Sequence, residues 1–249
     1  MTAKPARKRL DVLLVERGLA DSLPKAAAMI LAGEVLVDGS PANKAGARFG
    51  ESAQIEVQSR SEKYASRGGI KLEGALADFG INPRGRICVD IGASTGGFTD
   101  CLLQHGAARV YAVDVNVKQL AWKLRQDSRV VPIERNAREL SVDDIPEPAS
   151  LVTIDVSFIS IRKVLPPVIS VSTGDADLLL LIKPQFELPR EDVPKGGIVS
   201  DPALHEKAVG IAGEAVSARG LEVRGVRPSR ITGAEGNQEF FLHARKHSS

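Results

Sequence analysis

Several short stretches combine charged or small polar residues with apolar neighbours in a way that suits chemistry at a strand end. Val89-Asp90-Ile91-Gly92-Ala93-Ser94-Thr95-Gly96-Gly97-Phe98 follows an apolar run and opens a helix-like one. That order sets it in the crevice outside a strand's carboxyl end, where open α/β sheets bind ligands. The spacing is D-x-G-x-x-x-G-G and departs from the G-x-G-x-x-G of dinucleotide sites. Small residues let a ligand lie against bare backbone without forming a pyrophosphate cradle, which suits a nucleoside bearing an amino-acid tail. The same pattern also occurs as a glycine turn with a purely structural task.

A second strand end, Ala112-Val113-Asp114, offers a carboxylate to both hydroxyls of a ribose, about twenty positions after the glycines. Asn136 carries a donor and an acceptor suited to an adenine edge, or serves as a turn residue beside Arg135. Two further runs, Thr153-Ile154-Asp155-Val156-Ser157-Phe158 and Leu181-Ile182-Lys183-Pro184-Gln185-Phe186-Glu187, end apolar strands in a charge. Such charges are costly unless they pair or act. Both fall on the sheet edge that carries the glycine loop, so Asp155 and Lys183 converge on one crevice, as reacting groups or as a structural salt bridge.

Those residues need a parallel sheet to bring them together. Strands are predicted at Ile87 to Ile91, Arg109 to Val113, Val130 to Ile133, Leu151 to Asp155 and Leu178 to Ile182, with helical patterns between them. One helix begins at Asp201-Pro202 and ends at Gly220, and runs at Leu221 to Val223 and Phe240 to His243 form a closing antiparallel pair. Ahead of this lies a smaller module. Leu10, Leu13 and Leu14 predict a helix ending at Gly18, and a second follows Ser22, turns Ala26, Met29 and Ile30 inward and stops at Gly33. Val35 to Val37 then turns on Asp38-Gly39, and Ile55 and Val57 mark a further strand.

With 249 residues, 43 % hydrophobic and 26 % charged, the chain can bury a real core. No apolar stretch reaches eighteen residues, and Met1 to Arg9 is basic without a following apolar region, which predicts a soluble, unprocessed, cytoplasmic protein. Cys88 and Cys101 lack metal-site or disulfide spacing, and His105, His205, His243 and His247 form no H-E-x-x-H pattern, so each is read as a packing or surface residue and no metal is expected. Residues 1 to 71 hold 12 Lys/Arg against 8 Asp/Glu, and the remainder 21 against 23. The positive front half suits a nucleic-acid grip and also an ordinary solvated surface.

Taken together, these segments resemble the TlyA group of ribosomal RNA 2′-O-methyltransferases, some of whose members carry haemolysin names. Arg9 to Val57 is similar to the alpha-L, or S4-type, RNA-binding domain, through Ser22-Leu23-Pro24-Lys25-Ala26 and Ala32-Gly33-Glu34-Val35-Leu36-Val37-Asp38-Gly39. Leu23 stands where that motif usually has arginine. The remainder resembles the FtsJ-type methyltransferase domain. The resemblance implies an α/β fold: a Rossmann-like, mostly parallel sheet whose last strand is antiparallel, with a small N-terminal α+β domain. It divides the chain into an RNA-binding domain at 1–60, a linker at 61–67 and a methyltransferase domain at 68–249.

It further implies S-adenosylmethionine as cofactor and ribosomal RNA or a ribosomal subunit as partner, with a cytidine ribose as target. The catalytic set it implies is Lys71, in Ser66-Arg67-Gly68-Gly69-Ile70-Lys71-Leu72; Asp155; Lys183; and Glu239, in Gly233-Ala234-Glu235-Gly236-Asn237-Gln238-Glu239. Asp90, Gly92, Ala93, Ser94, Thr95, Gly96, Gly97, Phe98, Asp114, Asn136 and Asp155 are the cofactor candidates. Arg7, Lys8, Arg9, Arg17, Lys25 and Arg67 are the RNA candidates. Lys183 is expected to accept the hydroxyl proton or to hydrogen-bond the developing oxyanion. A membrane-active haemolysin and a non-catalytic RNA-binding protein are the rival readings, and monomer and homodimer both stay open.

Overall fold

The computed structural model describes residues 7–31, 33–57 and 63–246. Residues 1–6, Ala32, residues 58–62 of the expected boundary and linker, and His247 lie outside them. The chain forms two compact units, Met1–Glu62 and Lys63–Ser249.

In the first unit, helix α1 (Leu10–Glu16) buries Leu10, Leu13 and Leu14, and Gly18 follows it at φ 69°. Helix α2 (Leu23–Leu31) buries Ala26 and Ile30, with Met29 packed at the edge of the same cluster. Ser22 Oγ accepts from the Lys25 amide at 3.4 Å as its cap. Strand β2 (Val35–Val37) turns through Asp38 and Gly39, both at positive φ, into β3 (Ser40–Pro41), and β5 (Ile55–Val57) pairs antiparallel with β2. A second ribbon, β1 (Arg7–Arg9) against β4 (Arg48–Gly50), has no apolar alternation to announce it.

The second unit opens with α3 (Gly68–Phe79), β6 (Ile87–Ile91), α4 (Gly97–Gln104), β7 (Arg109–Asp114), the short α5 (Trp122–Arg125) and β8 (Val130–Glu134). It continues through β9 (Ala149–Ile154), α6 (Leu165–Ser170), β10 (Ser172–Ile182), α7 (Pro184–Glu187), α8 (Pro202–Ser217), β11 (Leu221–Pro228) and β12 (Phe240–Lys246). The sheet order is β11-β12-β10-β9-β6-β7-β8. Strands β10, β9, β6, β7 and β8 run parallel, and β12 is antiparallel to both of its neighbours. Side chains alternate between two buried faces: Leu178, Leu180 and Ile182 join one core with Val168 and Val216, while Leu179 and Leu181 join the other with Leu72 and Leu102. Burial on both faces explains why the central strands read as continuous apolar runs.

The second unit begins earlier than the expected linker allows. Tyr64 is fully buried in the core that holds Leu72 and Leu102, and Arg67 donates to the Thr232 carbonyl at 3.3 Å. Residues 63–67 therefore form part of the second unit. A single aromatic in a polar run carried too little weight to mark this in the sequence. His243, expected to pack, does so on Phe79 and bonds Asp177 at 2.9 Å, with Arg86 on the same carboxylate.

Tyr64 fits only because α3 has no side chain at its second residue: a Cβ on Gly69 would fall inside the Tyr64 ring. Gly69→Ala is therefore expected to destabilise by about 1–3 kcal/mol. In a thermal melt this is a Tm lowered by roughly 2–4 °C per kcal/mol.

Candidate active site

Strand register decides which residues meet. Ile182 of β10 lies opposite Phe240 of antiparallel β12, so Lys183, which follows β10, and Glu239, which precedes β12, emerge side by side. Leu180 pairs with Ile154 in the parallel direction, and so Asp155 leaves β9 at the same edge. The fourth charge comes from Lys71, on the first turns of α3.

The four form two close pairs. Lys71 Nζ donates to Glu239 Oε2 at 2.5 Å, with 11 % and 4 % of the two side chains exposed. Lys183 Nζ lies 2.6 Å from Asp155 Oδ1 as an ion contact, and its directed hydrogen bond goes to Ser157 Oγ at 2.8 Å. Buried charges paired in this way avoid the large cost of isolated ones.

Two neighbouring cavities meet at this edge. One, of about 390 Å³, is lined by Gly92, Ser94, Asp114, Gln119, Asn136 and Asp155. The other, of about 360 Å³, is lined by Lys71, Lys183, Glu239, Gln185, Phe158 and Phe186. Ser157 and Phe158 belong to both walls. The first cavity has the size and mixed lining of a small-molecule site. Gly92 stands in its wall at φ 84°, where a Cβ would run into the Asp155 carbonyl.

The glycine loop divides its labour. Of the residues predicted from it to touch a cofactor, Gly92 and Ser94 line the cavity. Asp90 does not: it is fully buried beneath the loop, where Thr99 Oγ1 donates to it at 2.7 Å and Thr153 Oγ1 at 3.1 Å. Burial pushes its carboxyl up to about 7 against those two hydrogen bonds and with help from the nearby Asp155 charge. Ala93 and Phe98 are also buried, Phe98 stacking on Phe241 at 6.0 Å. Gly96 gives clearance to Leu120 and Leu124, and Gly97 to Ser66 and the Gly69 backbone. Thr95 is exposed, its carbonyl accepting from the Ala121 amide. These six positions shape the loop from behind, because α4 must pack close to α3 and α5 as well as open the ligand crevice.

Asp114 lines the cavity while accepting the Ser94 amide at 2.9 Å and the Asn116 amide at 3.0 Å, which fixes its carboxylate. Asn136 is the turn residue that one of its readings expects. Its Oδ1 caps the turn at Arg138, 3.1 Å away, and the residue also lines the cavity.

Sequence reasoning missed what holds the shared wall. Phe158 sits at φ 63° and is 91 % exposed, unusual on both counts for a bulky apolar residue. The loop behind it is clamped by Glu187, whose carboxylate accepts from Ser160 Oγ at 2.6 Å and the Ile161 amide at 2.9 Å. Burial raises the Glu187 pKa while those two bonds and Arg162 oppose the rise. On the far wall, buried Asn237 accepts the Val199 amide and donates to the Gly197 carbonyl, tying two loops around Glu239. Both residues lay in quoted motifs, and only their burial reveals the task.

Among the RNA candidates, Lys8 pairs with Glu16 and Glu51, and Arg9 with Asp11. Arg17 donates to the carbonyls of Glu51 and Ala53 and so holds a turn. Arg7 and Lys25 are exposed, and Arg67 belongs to the second unit.

Comparison with known proteins gives two family matches: FtsJ-like methyltransferase over residues 64–246 and S4 domain over residues 8–55. The 16S/23S rRNA (cytidine-2′-O)-methyltransferase TlyA of Mycobacterium tuberculosis is 46 % identical over 96 % of this chain and 90 % of its own. Hemolysin A of Brachyspira hyodysenteriae is 45 % identical over 94 % of this chain and 98 % of its own. A solved structure from Streptococcus thermophilus that carries a hemolysin name is 39 % identical, covering 99 % of this chain and 90 % of that one with a TM-score of 0.77.

The raised pKa of Asp90 sets a pH signature. A carboxyl with a folded pKa near 7 and an unfolded one near 3.9 loses its stabilising contribution as pH climbs between those values. Asp90→Asn removes that titration, so the Tm of the variant relative to wild type is expected to become more favourable from pH 4 to pH 8. Parallel melts across that range, with a constant difference as the contrary result, test it.

Proposed function

Because the chain belongs to the FtsJ-like methyltransferase family, and within it to the TlyA group, we propose that it methylates a cytidine ribose 2′-hydroxyl of ribosomal RNA in the cytoplasm. The observation that carries the reading is the junction of the two cavities at Ser157 and Phe158, with the Lys183–Asp155 pair at the seam. S-adenosylmethionine supplies a methyl group on a positively charged sulfur. The first cavity fits it: Asp114 would hold the ribose hydroxyls, Asn136 the adenine edge, and the Gly92 and Ser94 backbone the amino-acid tail.

The acceptor nucleotide occupies the second cavity. Transfer is an in-line displacement, so holding oxygen, carbon and sulfur collinear supplies much of the catalysis, up to about 7–11 kcal/mol. Lys183 hydrogen-bonds the 2′-oxygen. The oxygen–carbon bond would form as the carbon–sulfur bond breaks, and the hydroxyl proton would pass to Lys183 Nζ, which must first release one proton to solvent to act as a base, with Asp155 orienting it. Lys71 and Glu239, paired across the cavity, position the ribose without adding net charge. Phe158 presents an exposed aromatic face on which a base can stack.

The N-terminal unit grips RNA. The Lys8–Glu16 pair is exposed and screened by solvent, so Lys8 exchanges carboxylate for phosphate at little cost, whereas Arg9 is bonded twice to the buried Asp11 and is held more firmly. Arg17 has a framework role instead. The hemolysin names of two relatives find no membrane element: no helix among the described residues is long and apolar enough to cross a bilayer.

Lys183→Ala is expected to lower transfer of tritiated methyl to ribosomal subunits by at least roughly 10²-fold. Calorimetry should still show S-adenosylmethionine bound, and the melt should show a folded protein. Mapping of 2′-O-methyl marks on the product identifies the nucleotide. A Lys183→Ala protein as active as wild type sinks the assignment.

A further inference from the structure

The acceptor cavity holds one polar side chain that the mechanism leaves idle. Gln185 lines it between Lys183 and Phe186, and its Oε1 is buried from solvent with no hydrogen-bond partner. No group among the described residues bonds either end of its carboxamide. Around it, Glu187, on the same turn of α7, accepts two bonds and Asn237 across the cavity makes two, while Asp155 Oδ1 at the seam has its ion contact with Lys183 in place of a hydrogen bond. The orphan at Gln185 is therefore a local feature of the cavity wall. A buried acceptor without a partner bears its full desolvation penalty, and such a penalty persists where a ligand relieves it.

We propose that Gln185 reads the target base, its carboxamide pairing with an edge that sets an exocyclic amine beside an unprotonated ring nitrogen, as cytosine does. This rests on the RNA ribose reading above. A neutral amide carries an acceptor and a donor side by side, which matches N4 and N3 of cytosine and offers no charge to a phosphate. The rings of Phe158 and Phe186, 5.1 Å apart and tilted at 48°, flank the same cavity and give the base apolar faces. Gln185 lies two residues from Lys183, so recognition of the base and placement of its own ribose oxygen share one short, Pro184-started helical turn.

Gln185→Leu keeps the size and removes the pairing. Its kcat/KM for ribosomal RNA is expected to fall roughly 10- to 100-fold, with S-adenosylmethionine affinity unchanged. The Tm without RNA should rise by roughly 2–4 °C as the orphaned acceptor disappears. RNA assembled by ligation with either cytidine or the amine-less pyrimidin-2-one riboside at the mapped position supplies the second arm. Losing the amine should slow wild type about as much as the Leu substitution does, and should slow Gln185→Leu no further. Unchanged kcat/KM for Gln185→Leu, additive losses on the two bases, or a lowered Tm with equal losses on both bases overturns the proposal. Wild type run beside it on cytidine RNA separates the failures: no ribose methylation there overturns the functional reading itself.

Discussion

An ammonium removed from water must find a counter-charge, and the second unit is organised around meeting that requirement twice within one sheet edge. Lys71 and Glu239 are both nearly buried, and Lys183 is almost as enclosed beside Asp155. Removing one member of such a pair typically costs about 3–5 kcal/mol because the other charge is left stranded. The pairs join segments as far apart as 168 residues in the chain. This doubly paired edge is therefore complete only when α3, the ends of β9 and β10 and the start of β12 have all docked, which couples its assembly to folding. Each pair is also neutral, so the cavity can admit a nucleotide whose phosphate charge is met elsewhere.

The antiparallel strand makes this economical. In a wholly parallel sheet each strand offers the edge only the residue that follows it. Inserting β12 in the opposite sense lets the residue before a strand reach the same edge, so Glu239 meets the residues that follow β9 and β10. The loop that delivers Glu239 must pass close to it: Gly233 bears no side chain where a Cβ would approach Glu239 Oε1 to 2.6 Å. Topology and one glycine together replace what would otherwise require a long excursion of chain.

Much of this could be read from residues alone, for a physical reason. Strands buried on both faces are continuous apolar runs, and β6, β7 and β9 were visible as such, as were the shorter apolar run of edge strand β8 and the capped helix after Asp201. Strand β10 extends back to Ser172 because Ser172, Thr173, Gly174 and Asp175 sit at a register break where the apolar pattern is absent. The basic ribbon of Arg7–Arg9 gave no signal, since its pairing with Arg48–Gly50 depends on the partner and not on its own periodicity. The glycine loop was legible as a loop, but not in its two-sidedness. Gly92 in the cavity wall yields to the Asp155 carbonyl, and Gly96 and Gly97 yield to packed helices, so different neighbours demand the same residue. Asp90 lies behind the loop, where strand alternation turns its carboxylate toward Thr99.

The wall between the cavities shows why a strained residue is tolerated there. Phe158 holds a left-handed backbone that costs about 1–3 kcal/mol and leaves its ring in solvent. Such a conformation persists only if both sides of the loop are fixed. On one side Asp155 is pinned by its amide bond to the Ile91 carbonyl, above a Gly92 that can have no Cβ. On the other, Glu187 holds Ser160 and Ile161 from α7, the element that begins immediately after Lys183. The clamp therefore references the shared wall to Lys183 itself. Small shifts of either strand end move Ser157, Phe158 and Lys183 together, which preserves the alignment that an in-line displacement needs.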